Sequence, residues 1–108
     1  MSRQHVLSIP VPPVEQRIRT IEAEPLPPNI GALLDAAAAE VPDRDAWNFF
    51  ETGERITYAA LREQVGRLAG GMARAGIRRG THVGVMLPNI PAMPMTWLAL
   101  MRIGAVMV

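Results

Sequence analysis

The 108-residue chain contains no cysteine and no lysine. The absence of cysteine excludes disulfides, thiolate catalysis and cysteine-based zinc sites. All eleven basic residues are arginine, so no lysine is available to form a Schiff base or to contact a phosphate. The two histidines, His5 and His82, lie far apart in the sequence. A metal site needs three or four convergent ligands, so we expect no metal-binding residue in this chain. The chain also has no G-x-x-x-x-G-K-[ST] phosphate loop, so we expect no catalytic or cofactor-binding residue.

Strong charge of one sign is also missing, since the formal net charge is +1. This balance gives no indication of a nucleic-acid partner. A signal peptide is not recognisable, because the apolar run at residues 6–9 is short and prolines follow it. We therefore expect a cytoplasmic location. Hydrophobic residues make up 49% of the chain, which is typical of a folded domain and not of a disordered tail.

Proline is concentrated at the N-terminus, where residues 1–28 hold six of the ten prolines. Proline lacks a backbone donor and fixes φ, so this segment cannot form one continuous helix or a central strand. We predict a proline-rich arm over residues 1–28, with a short helix at 14–24, and a separate α/β unit over residues 29–108. Two interpretations of the arm stay open: an extended segment on the surface of a larger body, or a polyproline II ligand for an aromatic groove.

The first half of the α/β unit is predicted to form a helix and a β-hairpin. Asn29 is typical of an N-cap, and the helix after it should end at residues 41–42, where a proline follows valine. A strand is predicted at 46–50, a turn at 51–54 and a returning strand at 55–57.

The clearest helical pattern covers residues 58–75, with Thr57 as its N-cap and Gly76 just beyond its C-terminus. Apolar side chains recur at spacings of three and four on one face, which predicts packing against the core. These side chains are Tyr58, Leu61, Val65, Leu68 and Met72. Glu63 precedes Arg67 by four residues, the favourable order for a helical ion pair.

Three glycines interrupt this helix, at Gly66, Gly70 and Gly71. Each costs about 1 kcal/mol relative to alanine in a helix interior. Their presence suggests that a neighbouring backbone or a bulky side chain packs closely against the helix.

Residues 82–108 are predicted to form a strand, a turn, an apolar helix and a second strand, which is the order of a βαβ unit with parallel strands. The second strand, from residue 104, is expected to be buried on both faces, as parallel strands usually are. Because the chain ends inside this strand, we expect it to be the opening piece of a larger α/β protein. The apolar stretch at 91–108 also raises a membrane-associated alternative, although its prolines, Arg102 and Gly104 argue against a spanning helix.

Four motifs in consistent order then resemble the AMP-forming acyl-CoA synthetase and adenylation-domain superfamily. I-T-Y-A-A-L at residues 56–61 is similar to the family pattern L-[TS]-Y-x-E-L. The helix and loop at 68–83 and V-M-L-P-N-I-P at 85–91 resemble the family's helix–loop–strand continuation and the turn after it. L-A-L-M-R-I-G-A-V at 98–106 resembles a second core motif close to L-K-A-G-x-x-Y-V-P.

The resemblance implies a two-step ligase. In such enzymes a carboxylate and ATP give an acyl-adenylate and pyrophosphate. Coenzyme A then displaces AMP to form a thioester, with Mg²⁺ required. The family's phosphate loop and catalytic lysine have no counterpart in this chain, so the resemblance implies an N-terminal portion of the large domain that is not catalytic alone. Tyr58 and Gly104 match motif positions, where packing and a tight backbone turn are the expected roles. Ala60 and Thr81 depart from the family's usual Glu and Asp.

We therefore expect an N-terminal fragment of an acyl-CoA synthetase active in fatty acid metabolism. Its partners would be the remainder of the same enzyme and a small carboxylic acid. ATP, Mg²⁺ and coenzyme A would act only in the complete enzyme. Two alternatives stay open: a short, non-catalytic interaction module built on the same scaffold, and a small membrane-associated protein.

Overall fold

The computed structural model describes residues 9–108, so His5 and the first part of the proline-rich arm lie outside the described range. The described chain mixes helices and strands, as the predicted α/β class requires, and they alternate only from β2 onward. In order they are α1 (Val14–Glu22), α2 (Ile30–Glu40), β1 (Asp45–Phe49), β2 (Glu54–Thr57), α3 (Tyr58–Arg74), β3 (His82–Val83), α4 (Ala92–Ile103) and β4 (Val106–Met107).

Two helices begin at the polar residues that the sequence indicates. The Asn29 side-chain oxygen accepts a hydrogen bond from the Ala32 amide at 2.7 Å, at the start of α2. The Thr57 hydroxyl accepts one from the Ala60 amide at 3.2 Å, at the start of α3. Both bonds satisfy an amide that has no partner inside its helix. Ala60 stands at the position where a capping box has Glu. Only the second hydrogen bond of the box, from the Thr57 amide to that Glu side chain, is therefore lost.

The C-terminus of α3 is closed by Gly76, which has a positive φ of 101°. The Gly76 amide donates to the Ala73 carbonyl at 3.0 Å, and the Ile77 amide donates to the Met72 carbonyl at 3.1 Å. This pair of bonds is the Schellman motif, which needs a residue in the left-handed region and favours glycine there. The predicted C-terminal glycine is confirmed.

The hairpin of β1 and β2 is antiparallel, with Trp47 opposite Ile56 and a bulge between Asp45 and Trp47. Asp45 also pairs with Arg55 across the hairpin, with 2.7 Å between the Asp45 Oδ2 and the Arg55 Nη2. Trp47 and Ile56 are half-buried, so the hairpin covers one side of the helical core.

The hydrophobic core forms where α2, α3 and α4 meet the hairpin. Its buried members are Leu34, Leu61, Val65, Ala69 and Ala99. The apolar face predicted for α3 is confirmed. Its centre, however, is at Leu61 and Val65, which are 3% and 0% exposed, whereas Leu68 is half-buried at the margin.

The βαβ unit closes as predicted, since β3 and β4 are parallel neighbours with His82 opposite Val106 and Val83 opposite Met107. The strand predicted at 82–87 is shorter in the structure, where β3 ends at Val83. One further bond, from the Val85 amide to the Val108 carbonyl at 3.1 Å, extends the ladder. Beyond it, in the described chain, no strand lies beside residues 86–87 to continue the pairing.

The close packing expected at the α3 glycines is wrong for the described chain. A Cβ built on Gly66 would meet no atom within 4 Å. At Gly70 and Gly71 the only such neighbour is the flexible Arg74 side chain, at 3.6 and 3.9 Å. Glycine is therefore not required by space at these positions.

Gly66→Ala is accordingly expected to raise the free energy of unfolding of the 108-residue chain by about 1 kcal/mol, since alanine reduces the entropy lost when the helix forms. Urea unfolding followed by tryptophan fluorescence measures the change. Gly76→Ala is the matched control. It should destabilise the chain, because Gly76 has a φ of 101° that alanine adopts poorly. Destabilisation by Gly66→Ala would mean that this face of α3 is covered.

The helix of the proline-rich arm, α1, packs against no other helix or strand of the described chain. Its apolar residues Val14, Ile18 and Ile21 form one stripe, and they are 60%, 48% and 62% exposed. The spacing of four and three places them on one face of the helix. The division of the chain at residue 28 stays a prediction.

Within residues 9–108, none of the helices has the length and apolarity to cross a bilayer. The apolar stretch that raised the membrane alternative contains α4, which has 12 residues. At 1.5 Å per residue this helix is about 18 Å long, whereas a hydrocarbon core is about 30 Å thick.

Candidate functional site

The sheet of β3 and β4 is covered on one face only. Side chains alternate between faces along a strand, so His82, Gly84, Val106 and Val108 share one face, which we call the open face. All four residues are exposed, with Val106 at 42% and Val108 at 72%.

The opposite face of this sheet is turned to the protein interior. It carries Val83 and Met107, which are half-buried, and Ala105, which is 5% exposed. The second strand is therefore covered on one face only in the described chain, and its expected burial on both faces needs elements other than these. Since parallel sheets normally have both faces covered, the open face is a surface prepared for contact.

The loop after β3 adds apolar side chains beyond the carboxyl ends of both strands. Met86 is 97% exposed, Leu87 39% and Ile90 41%. In open α/β sheets ligands bind outside the carboxyl ends of the strands, so this is the place where a site would be expected. The loop offers no charged side chain. Across residues 9–108, no group of three histidine, cysteine or acidic side chains converges to hold a metal ion.

A cluster of charged side chains joins the three core helices. Asp35 of α2 accepts a hydrogen bond from the Arg62 Nε of α3 at 2.9 Å and one from the Arg102 Nη1 of α4 at 3.1 Å, both on its Oδ1. The side chains of Asp35 and Arg102 are 37% and 31% exposed. One carboxylate therefore fixes the position of α4, and with it the start of β4, relative to α2 and α3.

Arg102 lies in the last turn of α4. In the sequence it argues only against a membrane-spanning helix there, and its partner Asp35 was not predicted. The sequence does contain an indication of this pair, because Asp35 is the only charged residue between Ile30 and Ala39 of α2. A single carboxylate among alanines and leucines needs a cation when its helix packs against others. The other predicted pair, between Glu63 and Arg67 on the exposed side of α3, is confirmed.

The hydrogen bond from Arg102 holds the pKa of Asp35 below its ordinary value of 3.8. Arg62 acts in the same direction through its own hydrogen bond, while partial burial opposes both. Because the folded-state pKa is depressed, the carboxylate stabilises the fold above pH 3.8. This contribution is lost as the pH falls through the lower folded-state value.

Asp35→Asn is expected to lower the free energy of unfolding at pH 7 by roughly 1 kcal/mol, the upper range for a solvent-exposed ion pair. The difference from the unmodified chain should shrink as the pH falls from 3.8 through the lower folded-state pKa of Asp35, below which the unmodified carboxyl is neutral in the folded chain as well. Urea unfolding at a series of pH values measures both effects. Glu63→Gln, which breaks the exposed pair with Arg67, is the control and should cost less. If the difference in unfolding free energy stayed constant across the acid range, the charge on Asp35 would not contribute to stability.

Tyr58 and Gly104, the two motif residues expected to serve in packing and in a tight turn, lie at positions that suit those roles. Tyr58 is half-buried against the core cluster. Gly104 follows α4 with φ 84° and turns the chain into β4. Thr81, which replaces the family's usual Asp, accepts a hydrogen bond from the Arg78 amide at 2.9 Å. A side-chain oxygen thus still closes the loop before β3.

Comparison with known sequences finds a family model that matches most of the chain. The model of the family described as "AMP-binding enzyme" matches residues 34–108. The chain is 35% identical over 79 residues to the mitochondrial medium-chain acyl-CoA ligase ACSF2 of Bos taurus, covering 73% of this chain and 13% of the ligase. It is 38% identical over 76 residues to acetyl-coenzyme A synthetase 1 of Candida albicans, covering 67% of this chain and 11% of that protein.

Solved structures give the same result. The N-terminal subdomain of Klebsiella oxytoca NpsA has a TM-score of 0.69 at 33% identity, with 73% of this chain and 20% of that one covered. The N-terminal domain of FACL13 from Mycobacterium tuberculosis has a TM-score of 0.69 at 29% identity, with the same coverage of 73% and 20%. The chain thus spans about one fifth or less of the length of these relatives.

Proposed function

Because the chain belongs to the AMP-binding enzyme family, we propose that it forms the N-terminal part of an ATP-dependent acyl-CoA synthetase. The observation that carries this proposal is the family match from residue 34 to residue 108, which includes most of α2, the hairpin, α3 and the whole βαβ unit. In the complete enzyme a carboxylate would attack the α-phosphate of ATP, forming an acyl-adenylate and releasing pyrophosphate. The thiol of coenzyme A would then attack the acyl carbonyl, forming a thioester and releasing AMP.

The residues of this chain do not fit the cofactors of that reaction. The chain has no lysine to contact a phosphate. In residues 9–108 the acidic side chains do not form a group of three that would hold Mg²⁺. We therefore assign no catalytic step to these residues and propose that the chain is not catalytic by itself. ATP, Mg²⁺ and coenzyme A belong to the proposal for the complete enzyme.

The proposed role of this segment is to begin the large domain. The open face and the unpaired edges of β3 and β4 would accept further helices and strands, which is why we propose the remainder of the same enzyme as its partner. The cluster at Asp35 would keep the two strands at a fixed angle to the helices during that contact. A carboxylic acid as substrate, a role in fatty acid metabolism and a cytoplasmic location stay predictions.

A chimera tests the proposal directly. The matching N-terminal segment of the bovine medium-chain acyl-CoA ligase is replaced by residues 29–108 of this chain, and thioester formation from medium-chain acids, ATP and coenzyme A is measured. The segment should support activity, since it is 35% identical to the ligase over 79 residues. The 108-residue chain alone should give no ATP–pyrophosphate exchange.

Two controls make the result specific. A chimera that also carries Leu61→Asp should be inactive, because a charge is placed in the core where the native side chain is 3% exposed. A chimera with Arg67→Ala, at an exposed position, should match the unmodified chimera. A folded chimera without activity would count against the ligase proposal and favour a separate interaction module. Exchange activity of the 108-residue chain alone would contradict its proposed lack of catalysis.

A further inference from the structure

The connection from α3 to β3 carries three positive charges without a partner in the described chain. Arg74 ends α3, and Arg78 and Arg79 follow in the loop before β3. All three residues are exposed, and none of them forms an ion pair within residues 9–108. We infer that residues 74–81, which we call the arginine loop, bind a phosphate group.

The positive charge of the arginine loop is not balanced by acidic residues nearby in the sequence. The last acidic residue of the chain is Glu63, so residues 64–108 contain five arginines and no acidic side chain. Arg67 is paired with Glu63. Arg102 is paired with Asp35. The C-terminal dipole of α3 also attracts cations, but it amounts to about half an elementary charge and offsets only a part of three.

The backbone of the arginine loop is fixed by hydrogen bonds within this chain. The Thr81 amide donates to the Arg78 carbonyl at 3.0 Å, and the Arg78 amide donates to the Thr81 hydroxyl at 2.9 Å. The Gly80 amide donates to the Gly104 carbonyl at 2.9 Å. The loop therefore has its conformation without further elements, whereas the open face needs them for its cover.

Arg79 is the best positioned of the three arginines. A Cβ built on Gly104 would lie 3.1 Å from the Arg79 Cγ and 3.6 Å from its Cβ, so the stem of Arg79 packs on the turn before β4. Only glycine leaves this space free. A side chain whose stem is already held loses less conformational entropy when its guanidinium binds a ligand.

The number of arginines favours phosphate over carboxylate as the ligand. Guanidinium groups bind both anions through paired N–H···O bonds. A carboxylate has one charge and two oxygens, whereas a phosphate monoester has a charge of about −1.5 to −2 and three terminal oxygens. Arg78 and Arg79 are adjacent in the loop. Arg74, whose guanidinium lies beside Gly70, has no ion pair in the described chain to keep it from turning toward the same anion.

Titration of the isotope-labelled 108-residue chain with inorganic phosphate and with pyrophosphate, followed by NMR, tests this inference. The inference does not depend on the proposed enzyme function. Amide shifts should change in the arginine loop and at the Gly104 turn, with dissociation constants in the millimolar range. Arg79→Gln should weaken binding by at least about fivefold, because one charge-assisted contact is lost. Glutamine keeps the Cβ and Cγ that pack on Gly104, so the unfolding midpoint should not change.

Two matched variants separate the causes. Arg67→Gln removes the same charge from α3 at an arginine that is paired with Glu63, and it should leave the affinity unchanged. Arg79→Lys keeps the charge but loses the two parallel donors of the guanidinium, so its affinity should lie between those of the parent chain and Arg79→Gln.

A second ligand identifies the source of the phosphate. Vesicles of phosphatidylcholine with phosphatidic acid present a phosphate monoester on a lipid surface. Binding to these vesicles alone, lost in Arg79→Gln, would support the site as one for lipid headgroups. Binding of inorganic phosphate or pyrophosphate would support it as a site for free phosphate compounds.

Four results would overturn the inference. They are equal shifts with acetate at the same ionic strength, shifts spread evenly over all exposed arginines, an affinity unchanged by Arg79→Gln, and no binding of any phosphate probe.

Discussion

Leu61→Ala is expected to lower the free energy of unfolding by about 2–5 kcal/mol, the usual cost of removing a buried leucine side chain. Leu61 is 3% exposed and belongs to the cluster in which α2, α3 and α4 meet the hairpin. The loss combines the transfer free energy of the removed methyl groups with the cavity left behind, because three helices cannot all move to fill it. Urea unfolding monitored by the fluorescence of Trp47 and Trp97 measures the change.

Leu68→Ala is the matched control, since it makes the same chemical change on the same helix. Leu68 is half-buried, so the loss should be clearly smaller. Arg67→Ala should change stability by only about 0.3–0.5 kcal/mol, because it removes one exposed helical pair. Equal destabilisation by the two leucine variants would show that the core is not centred at Leu61.

Gly104→Val is expected to cost about 2–3 kcal/mol, for two separate reasons. Gly104 has a φ of 84°, a conformation that costs other residues about 1–2 kcal/mol and β-branched residues more. In addition, a Cβ at this position would lie 3.1 Å from the Cγ of Arg79. The same turn carries the hydrogen bond from the Gly80 amide to the Gly104 carbonyl at 2.9 Å, so the strain would spread to the start of β3.

The two causes can be separated by further variants. Asn tolerates the left-handed region. Compared with Gly104→Val, Gly104→Asn should therefore keep part of the steric conflict with Arg79 but have much less backbone strain. Arg79→Ala combined with Gly104→Val should relieve the contact and keep the strain. Unfolding free energies from urea titration give both contributions. Equal stability of the parent and the Gly104→Val chain would show that the turn is not restrictive.

Features set by neighbouring residues could be predicted from the sequence. The caps at Asn29 and Thr57 and the glycine at position 76 act within one turn of a helix, so a few residues determine them. The family motifs were equally local, and both the family and its N-terminal α/β fold are confirmed.

Features that depend on how helices meet could not be predicted. Asp35 and Arg102 are 67 residues apart, and their contact requires α2 and α4 to pack in one particular register. The open space at Gly66 likewise depends on which helices lie beside α3, so glycines alone gave the wrong indication. An apolar strand pattern indicates that a strand tends to be buried. It does not say which helices cover each face of the sheet, so the open face could not be read from the strand residues alone.

The parallel pairing of β3 with β4 also constrains the order of events during synthesis. His82 has its partner in Val106, which the ribosome adds 24 residues later. At about 5–20 residues per second, β3 waits roughly one to five seconds before its partner exists. The hairpin and the contact between α2 and α3 are complete earlier, since all their residues precede residue 75. We therefore expect the nascent chain to acquire a partial helical core first, with the edge of β3 exposed to chaperones until β4 emerges.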